Sequence, residues 1–285
     1  MTTAILSGLR VGFAHAMRRS TLTIGLTVLA VFVLAAIFAP LLTPGPPDVL
    51  DIGRRMRPPS SDHWMGTDEF GRDVYTRLVY GGRLSLGIGA MTAFFSAIFG
   101  VTLGLLAGFF PVLDRTLSRV IDAMMAFPDI LLAIALVAAL NPSVANVVLA
   151  LTVVYTPRIA RTVRASTLVI RELPYVEAAR ALGVSSGRIL RVHVLRNLVS
   201  PIIVQGTFVF AYAMLAEASL SFLGVGASPE RPSWGTMISA ARSYYRQADW
   251  LALYPGLAIM IAVLSLQMVG DALRDVLDPK LRRSV

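Results

Sequence analysis

The sequence predicts an all-helical membrane protein with six transmembrane helices and both termini on the cytoplasmic side. Three observations lead there: the composition, the spacing of uncharged runs and the distribution of arginine. Of 285 residues, 55% are hydrophobic and only 15% are charged, too few charges to coat a soluble domain of this size, so apolar side chains must face lipid. Six apolar runs, roughly 22–42, 84–110, 119–140, 143–162, 201–224 and 251–270, have the length needed to cross a bilayer, about 20 residues of helix. Helix is the required form because backbone groups in lipid must be bonded within the segment. With the N-terminus inside, 17 of the 26 Lys and Arg fall on the inner side and nine on the outer, as the positive-inside rule demands. The net charge of +9 therefore reads as orientation, and nucleic-acid binding is set aside.

Each element has its own justification. The first run follows Arg18 and Arg19. It is too long for the core of a signal peptide and five further spans follow it, so it reads as an anchor rather than an export signal. Residues 43–83 form an external loop in which six Arg and six acids cancel, as in a folded, ion-paired segment. The second run carries Ser96 and then Gly100, Gly104 and Gly108 four residues apart, a strip of small residues that lets another helix approach closely. The third and fifth runs are interrupted by Asp122, Asp129 and Glu217. Each costs at least about 2.5 kcal/mol if left charged and unpaired in the membrane, so each should face protein or water. Arg115, Arg119, Asp122 and Asp129 are expected on one helix as a single polar face. Arg119 and Asp122 pair there, and Asp129 needs another partner or the water of a pathway. The competing reading of Asp129 is a helix start after Pro128, and that of Glu217 a hydrogen bond to a neighbouring span. The whole chain, 1–285, reads as one domain, with no internal repeat and no linker.

Much chemistry is missing. With no Cys there are no disulfides, thiolate metal sites or cysteine nucleophiles. The only lysine, Lys280, is not in a phosphate-cradling loop, so any ATPase must be another polypeptide. His15, His63 and His193 are too scattered for a metal cluster. Gly183-Val184-Ser185-Ser186-Gly187 matches G-x-S-x-G, yet a nucleophile elbow needs a preceding strand; a helix stop followed by a serine cap explains the same letters.

The cytoplasmic loop 163–200 contains the most informative segment, Leu173 to Gly183. Pro174 suits a first helical position, Glu177 a first turn, and Gly183 a left-handed stop. Tyr175, Ala178, Ala179 and Leu182 are expected to share one face, offered to something in the cytoplasm or laid on the lipid surface. Glu177-Ala178-Ala179-x-x-x-Gly183 resembles the EAA loop of permease subunits of bacterial ATP-binding-cassette importers. His193-Val194-Leu195-Arg196-Asn197 is similar to the family's H-I-L-P-N, with Arg196 where proline is usual. Three further stretches resemble the second, C-type permease of the dipeptide, oligopeptide and nickel importers. They are Gly66-Thr67-Asp68-Glu69-Phe70-Gly71-Arg72-Asp73-Val74-Tyr75-Thr76-Arg77 with Gly82-Arg83-Leu84-Ser85-Leu86, the stretch Ala216 to Gly224, and the stretch Gly270 to Pro279.

That resemblance implies a type I importer permease fold and a multi-pass protein of the bacterial plasma membrane. It implies a non-catalytic subunit without a cofactor of its own, ATP and Mg being held by two partner ATPases. A homologous permease would complete a heterodimer, and an extracytoplasmic substrate-binding protein would deliver the substrate, a peptide or, alternatively, a nickel complex. A secondary transporter or channel is the alternative from another class. Tyr175, Glu177, Ala178, Ala179, Leu182 and Gly183 are then the ATPase-coupling residues. Asp129 and Glu217 are candidates for the pathway. Asp68, Glu69, Arg72 and Asp73 are candidates for contact with the binding protein, against purely structural packing of the loop.

Overall fold

The computed structural model describes residues 2–226 and 231–277, with side chains from Ser20 onward. Within them the secondary structure is helical: α1 Thr2–Ile37, α2 Ala39–Leu42, α3 Val74–Phe109, α4 Pro111–Met125, α5 Asp129–Leu140, α6 Val144–Ile170, α7 Pro174–Ala181, α8 Ser186–Ile189, α9 Leu195–Phe222, α10 Trp234–Ala241 and α11 Trp250–Leu277. Five helical stretches are long and apolar enough to cross a membrane, or six if the bent pair α4 and α5 counts as one span. Lys280, Arg282, Arg283 and the Asp278-Pro279 end of the last motif lie outside the described residues.

The bundle is organised around α3, which packs mainly on α6 and α9, while α11 joins α9 to α1. The small-residue strip is the reason for the closest of these contacts. An added Cβ at Gly100 would lie 2.7 Å from Ile159, at Gly104 2.6 Å from the carbonyl oxygen of Ala160, and at Gly108 2.5 Å from Thr167. Ser96 continues the strip with its hydroxyl donated to the Thr152 carbonyl at 3.3 Å. In lipid, where burial of apolar surface supplies no drive between helices, such close approach supplies dispersion contact.

The third expected span is broken. α4 and α5 meet at 93°, because Pro128 disfavours helix at Phe127 and offers no N–H to continue the ladder. Asp129 is therefore the first residue of α5, and the single polar face expected over Arg115, Arg119, Asp122 and Asp129 does not exist. α5 has 12 residues, about 18 Å, too short to cross alone. Ser143 caps α6 through Asn146 N at 3.1 Å, and the Asn146 amide donates to the carbonyls of Leu140 and Asn141, closing an α5–α6 hairpin.

Two helices outrun their expected limits. α6 continues to Ile170, and α9 is joined to α8 through a π-turn at Leu190–Val194, making one helical stretch of 37 residues from Ser186 to Phe222. Arg196, lacking the ring of the usual proline, sits in its ordinary helical ladder. The eight-residue α10 is capped by Ser233 and Thr236 in a reciprocal capping box. Its Trp234 is buried and donates Nε1–H to the Leu78 carbonyl at 2.9 Å, fastening α10 against α3.

Candidate functional site

At the end of the bundle that carries α7, a short helix is fastened to three long ones. Pro174 occupies its first turn, Glu177 its anion-favouring end, and Gly183 takes φ +77° after the stop, with Val184 N donating back to the Ala179 carbonyl at 3.1 Å. Val176 is fully buried and Ala179 nearly so, in the same apolar cluster as Ile170, Ile189, Val194 and Leu198. Tyr175 accepts a hydrogen bond from the Asn197 amide at 3.2 Å and packs its ring 5.9 Å from that of His193. Arg180 lies over the Phe109 ring at 5.7 Å, and Arg171 donates to the Gly108 carbonyl at 2.9 Å. α7 is thereby tied to the ends of α3, α6 and α9 together.

The opposite face of α7 is exposed. Leu182 is 84% exposed and Tyr175 44%, with Glu177 and Ala178 also exposed. Ala179 does not share this face as expected; it turns inward with Val176 and anchors the helix. The outward surface includes Tyr175, Glu177, Ala178, Arg180 and Leu182, a small apolar patch with one acid and one base.

The interior acids separate into two kinds. Glu217 is 0% exposed and accepts from the hydroxyls of Ser221 and Ser233 at 2.8 Å each and of Ser85 at 3.3 Å. It ties α9 to α3 and to the cap of α10, so its expected place beside a pathway is corrected to a structural one: no face of it is open. Asp129 is ion-paired with Arg158 of α6, both half-exposed. Asp122 pairs with Arg161 at 2.7 Å, not with Arg119, and Asp114 accepts from Nε and Nη2 of Arg164 at 2.5 and 2.9 Å. Three acids of α4 and α5 thus climb three arginines of α6.

In the external loop, the four residues expected to meet a docking protein are spent on the loop itself. Asp68 is buried, accepts from the backbone of Phe70 and Arg72 at 2.9 Å each, and takes Arg72 Nε at 2.6 Å. Glu69 is buried beside Arg72, and Asp73 caps α3 by accepting from Thr76 N at 2.7 Å while bonding His63 at 2.9 Å. Charges facing each other inside a loop satisfy desolvated partners, which leaves little of them to present outward.

Comparison with known proteins decides the family. Residues 100–283 match the model of the binding-protein-dependent transport system inner membrane component. The chain belongs to that family. Its residues 16–59 also match the N-terminal transmembrane domain of oligopeptide transport permease C. The permease is 45% identical over 96% of its length, and 90% of the relative's, to a dipeptide transport system permease protein of Alkalihalophilus pseudofirmus. It is 42% identical to a di/tripeptide transport system permease protein of Pseudomonas aeruginosa, covering 91% of this chain and 88% of that one. A glutathione transport system permease protein of Pectobacterium atrosepticum is 44% identical over 81% of this chain and 77% of its own. Among solved structures, inward-facing MetNI methionine ABC transporter superposes with TM-score 0.60 at 21% identity, covering 71% of this chain and 96% of that one, a likeness of fold. The permease is a multi-pass inner membrane protein with the type I importer permease fold.

Sequence reasoning missed Arg158, Arg161 and Arg164 as the partners of the interior acids. Their three-residue spacing on one helix face is visible in the sequence, but the acids recur at eight and seven residues, and spacing alone does not pair the two sets. The bend at Phe127 and Pro128 sets Asp129 on α5, where it meets Arg158. Val176 was passed over for the same kind of reason: only the core beneath α7 tells which apolar face of so short a helix is inward.

Proposed function

We propose that this permease is the membrane-spanning subunit of an ATP-driven importer of short peptides. A homologous permease completes the translocation unit, two ATPases drive it through α7, and an extracytoplasmic binding protein delivers the peptide. The observation that carries this reading is α7: a short helix anchored in the core through Val176 and Ala179, with Leu182 84% exposed and Tyr175 44% exposed on its other side. A large apolar side chain exposed at a loop helix suits a protein partner, and ties from α7 into α3, α6 and α9 suit the relay of its movement. The names of the relatives, dipeptide, di/tripeptide and glutathione permeases, support peptides over nickel complexes.

Leu182 tests the assignment because its side chain touches little of the permease. In a complex reconstituted with ATPases and binding protein, Leu182→Glu is expected to lower ATP-driven peptide uptake at least about tenfold, the scale of losing a central interface anchor of 2 kcal/mol or more. Insertion and thermal stability of the permease alone should stay at wild-type values. Uptake at the wild-type rate removes α7 from the ATPase contact.

Both termini and α7 are assigned to the cytoplasm, and the loop 43–83 to the outside. A cysteine at the exposed Asp62, in a chain without native Cys, should react with a membrane-impermeant maleimide in spheroplasts before lysis. Labelling only after lysis reverses the orientation.

A further inference from the structure

The ion pair of Asp129 and Arg158 lies near the middle of α6 and is not sealed from its surroundings. Tyr155 is eleven residues into α6 and Tyr212 ten residues from the end of α9, so each lies about 15–17 Å along its helix, half the hydrocarbon thickness of about 30 Å. Tyr155 OH donates to the Tyr212 carbonyl at 3.4 Å, and their rings stack at 6.5 Å, which holds the two positions level. Arg158 lies over both rings, 5.5 and 5.0 Å from their centres, and is ion-paired with Asp129. The side chains of Arg158 and Asp129 are 32% and 38% exposed, and Tyr212 is 42% exposed. A half-exposed ion pair at this depth cannot face hydrocarbon; it faces a water-filled route or another protein. Glu217 shows the contrasting arrangement of an acid kept for structure: sealed, and satisfied by three hydroxyls.

We propose that Asp129 and Arg158, framed by Tyr155 and Tyr212, form a station that reads the two charged ends of a peptide in transit. The proposal rests on the peptide reading above and adds the site and the feature recognised. All unmodified linear peptides share an α-ammonium and an α-carboxylate whatever their side chains. Arg158 offers a planar fork to a carboxylate, and Asp129 accepts an ammonium. The arriving zwitterion exchanges one internal ion pair for two intermolecular ones with no change in net charge, so no bare charge is left at mid-membrane. The cation–π seat on Tyr155 and Tyr212 holds the Arg158 guanidinium while Asp129 lets go. The exposed ring of Tyr212 supplies a wall that tolerates varied side chains.

The test is equilibrium dialysis of radiolabelled dialanine against the solubilised permease–ATPase complex without binding protein, so that selection by that protein plays no part. Competitors are unlabelled dialanine, dialanine amide and N-acetyl-dialanine. In the wild type both blocked peptides should compete at least about tenfold more weakly than dialanine, the loss expected when one member of a desolvated charge pair is missing. Arg158→Gln should abolish discrimination against the amide while keeping it against the acetylated peptide, and Asp129→Asn should do the reverse. Either variant suffices if the other does not assemble. Equal competition by all three peptides in the wild type, no saturable dialanine binding, or both discriminations falling together in a variant overturns the proposal. Uptake of dialanine by the full system with binding protein is measured alongside. Uptake present without end discrimination overturns this inference alone, whereas absent uptake overturns the peptide reading and this inference with it.

Discussion

Replacing Gly104 with valine is expected to prevent the permease from forming a stable bundle. The Cβ alone would stand 2.6 Å from the Ala160 carbonyl oxygen and 2.7 Å from the Val163 Cβ, and the nearer obstacle is backbone that cannot rotate away. α3 and α6 must then move apart along their length, which also loosens the contacts at Gly100 and Gly108. Overpacking of a core ordinarily costs about 1–3 kcal/mol; here the separation of the largest helix pair puts the cost at the upper end or beyond. Gly87→Val is the control, because it lies on the same helix with open space around it. Thermal unfolding of the detergent-solubilised protein should show Gly104→Val collapsed in yield and midpoint while Gly87→Val stays close to wild type. Equal midpoints for the two would mean that the strip is not the seam between α3 and α6.

Glu217→Leu is the second large effect. The substitution is close in size but leaves the hydroxyls of Ser85, Ser221 and Ser233 without their acceptor in a sealed site. Each buried donor left unsatisfied costs about 1–3 kcal/mol. Ser221 can turn to a carbonyl of its own helix, so the net loss is on the order of 3 kcal/mol, or roughly 6–12 °C in midpoint for a chain of this size. Glu217→Gln keeps Oε1 for Ser221 and Ser233 and lets its amide donate to Ser85 Oγ, which already accepts from Trp234 N at 3.0 Å; it should lose less than half as much. A Leu variant as stable as the Gln variant would show that the three serines do not depend on the carboxylate.

How far the sequence could be read follows from the range of the forces involved. Helix formation, the apolar runs, the cap and stop of α7 and the small-residue strip depend on residues within a few turns of each other, so their periodicity shows in the chain alone. The EAA-like segment was legible for the same reason: Pro174, Glu177 and Gly183 each act on their own helix end. Other features depend on meetings across long separations, which one sequence without its fold does not order. Glu217 could be judged costly in a membrane, but only the packing of α3, α9 and α10 brings serines 132, four and 16 residues away onto it. Asp129 could be seen to need a partner, but Arg158 becomes that partner only because the chain turns by 93° before α5. The loop acids could be counted as balanced, yet whether they faced a partner or one another was decided by closure of the loop, with Gly71 at φ +75° bringing its Cα against the Asp51 carbonyl where any side chain would collide. Sequence determined which segments are helical, which must avoid water and which charges are unaffordable alone; tertiary structure decided which charges meet, because a pairing energy depends on distance through space and that distance is set by the whole bundle.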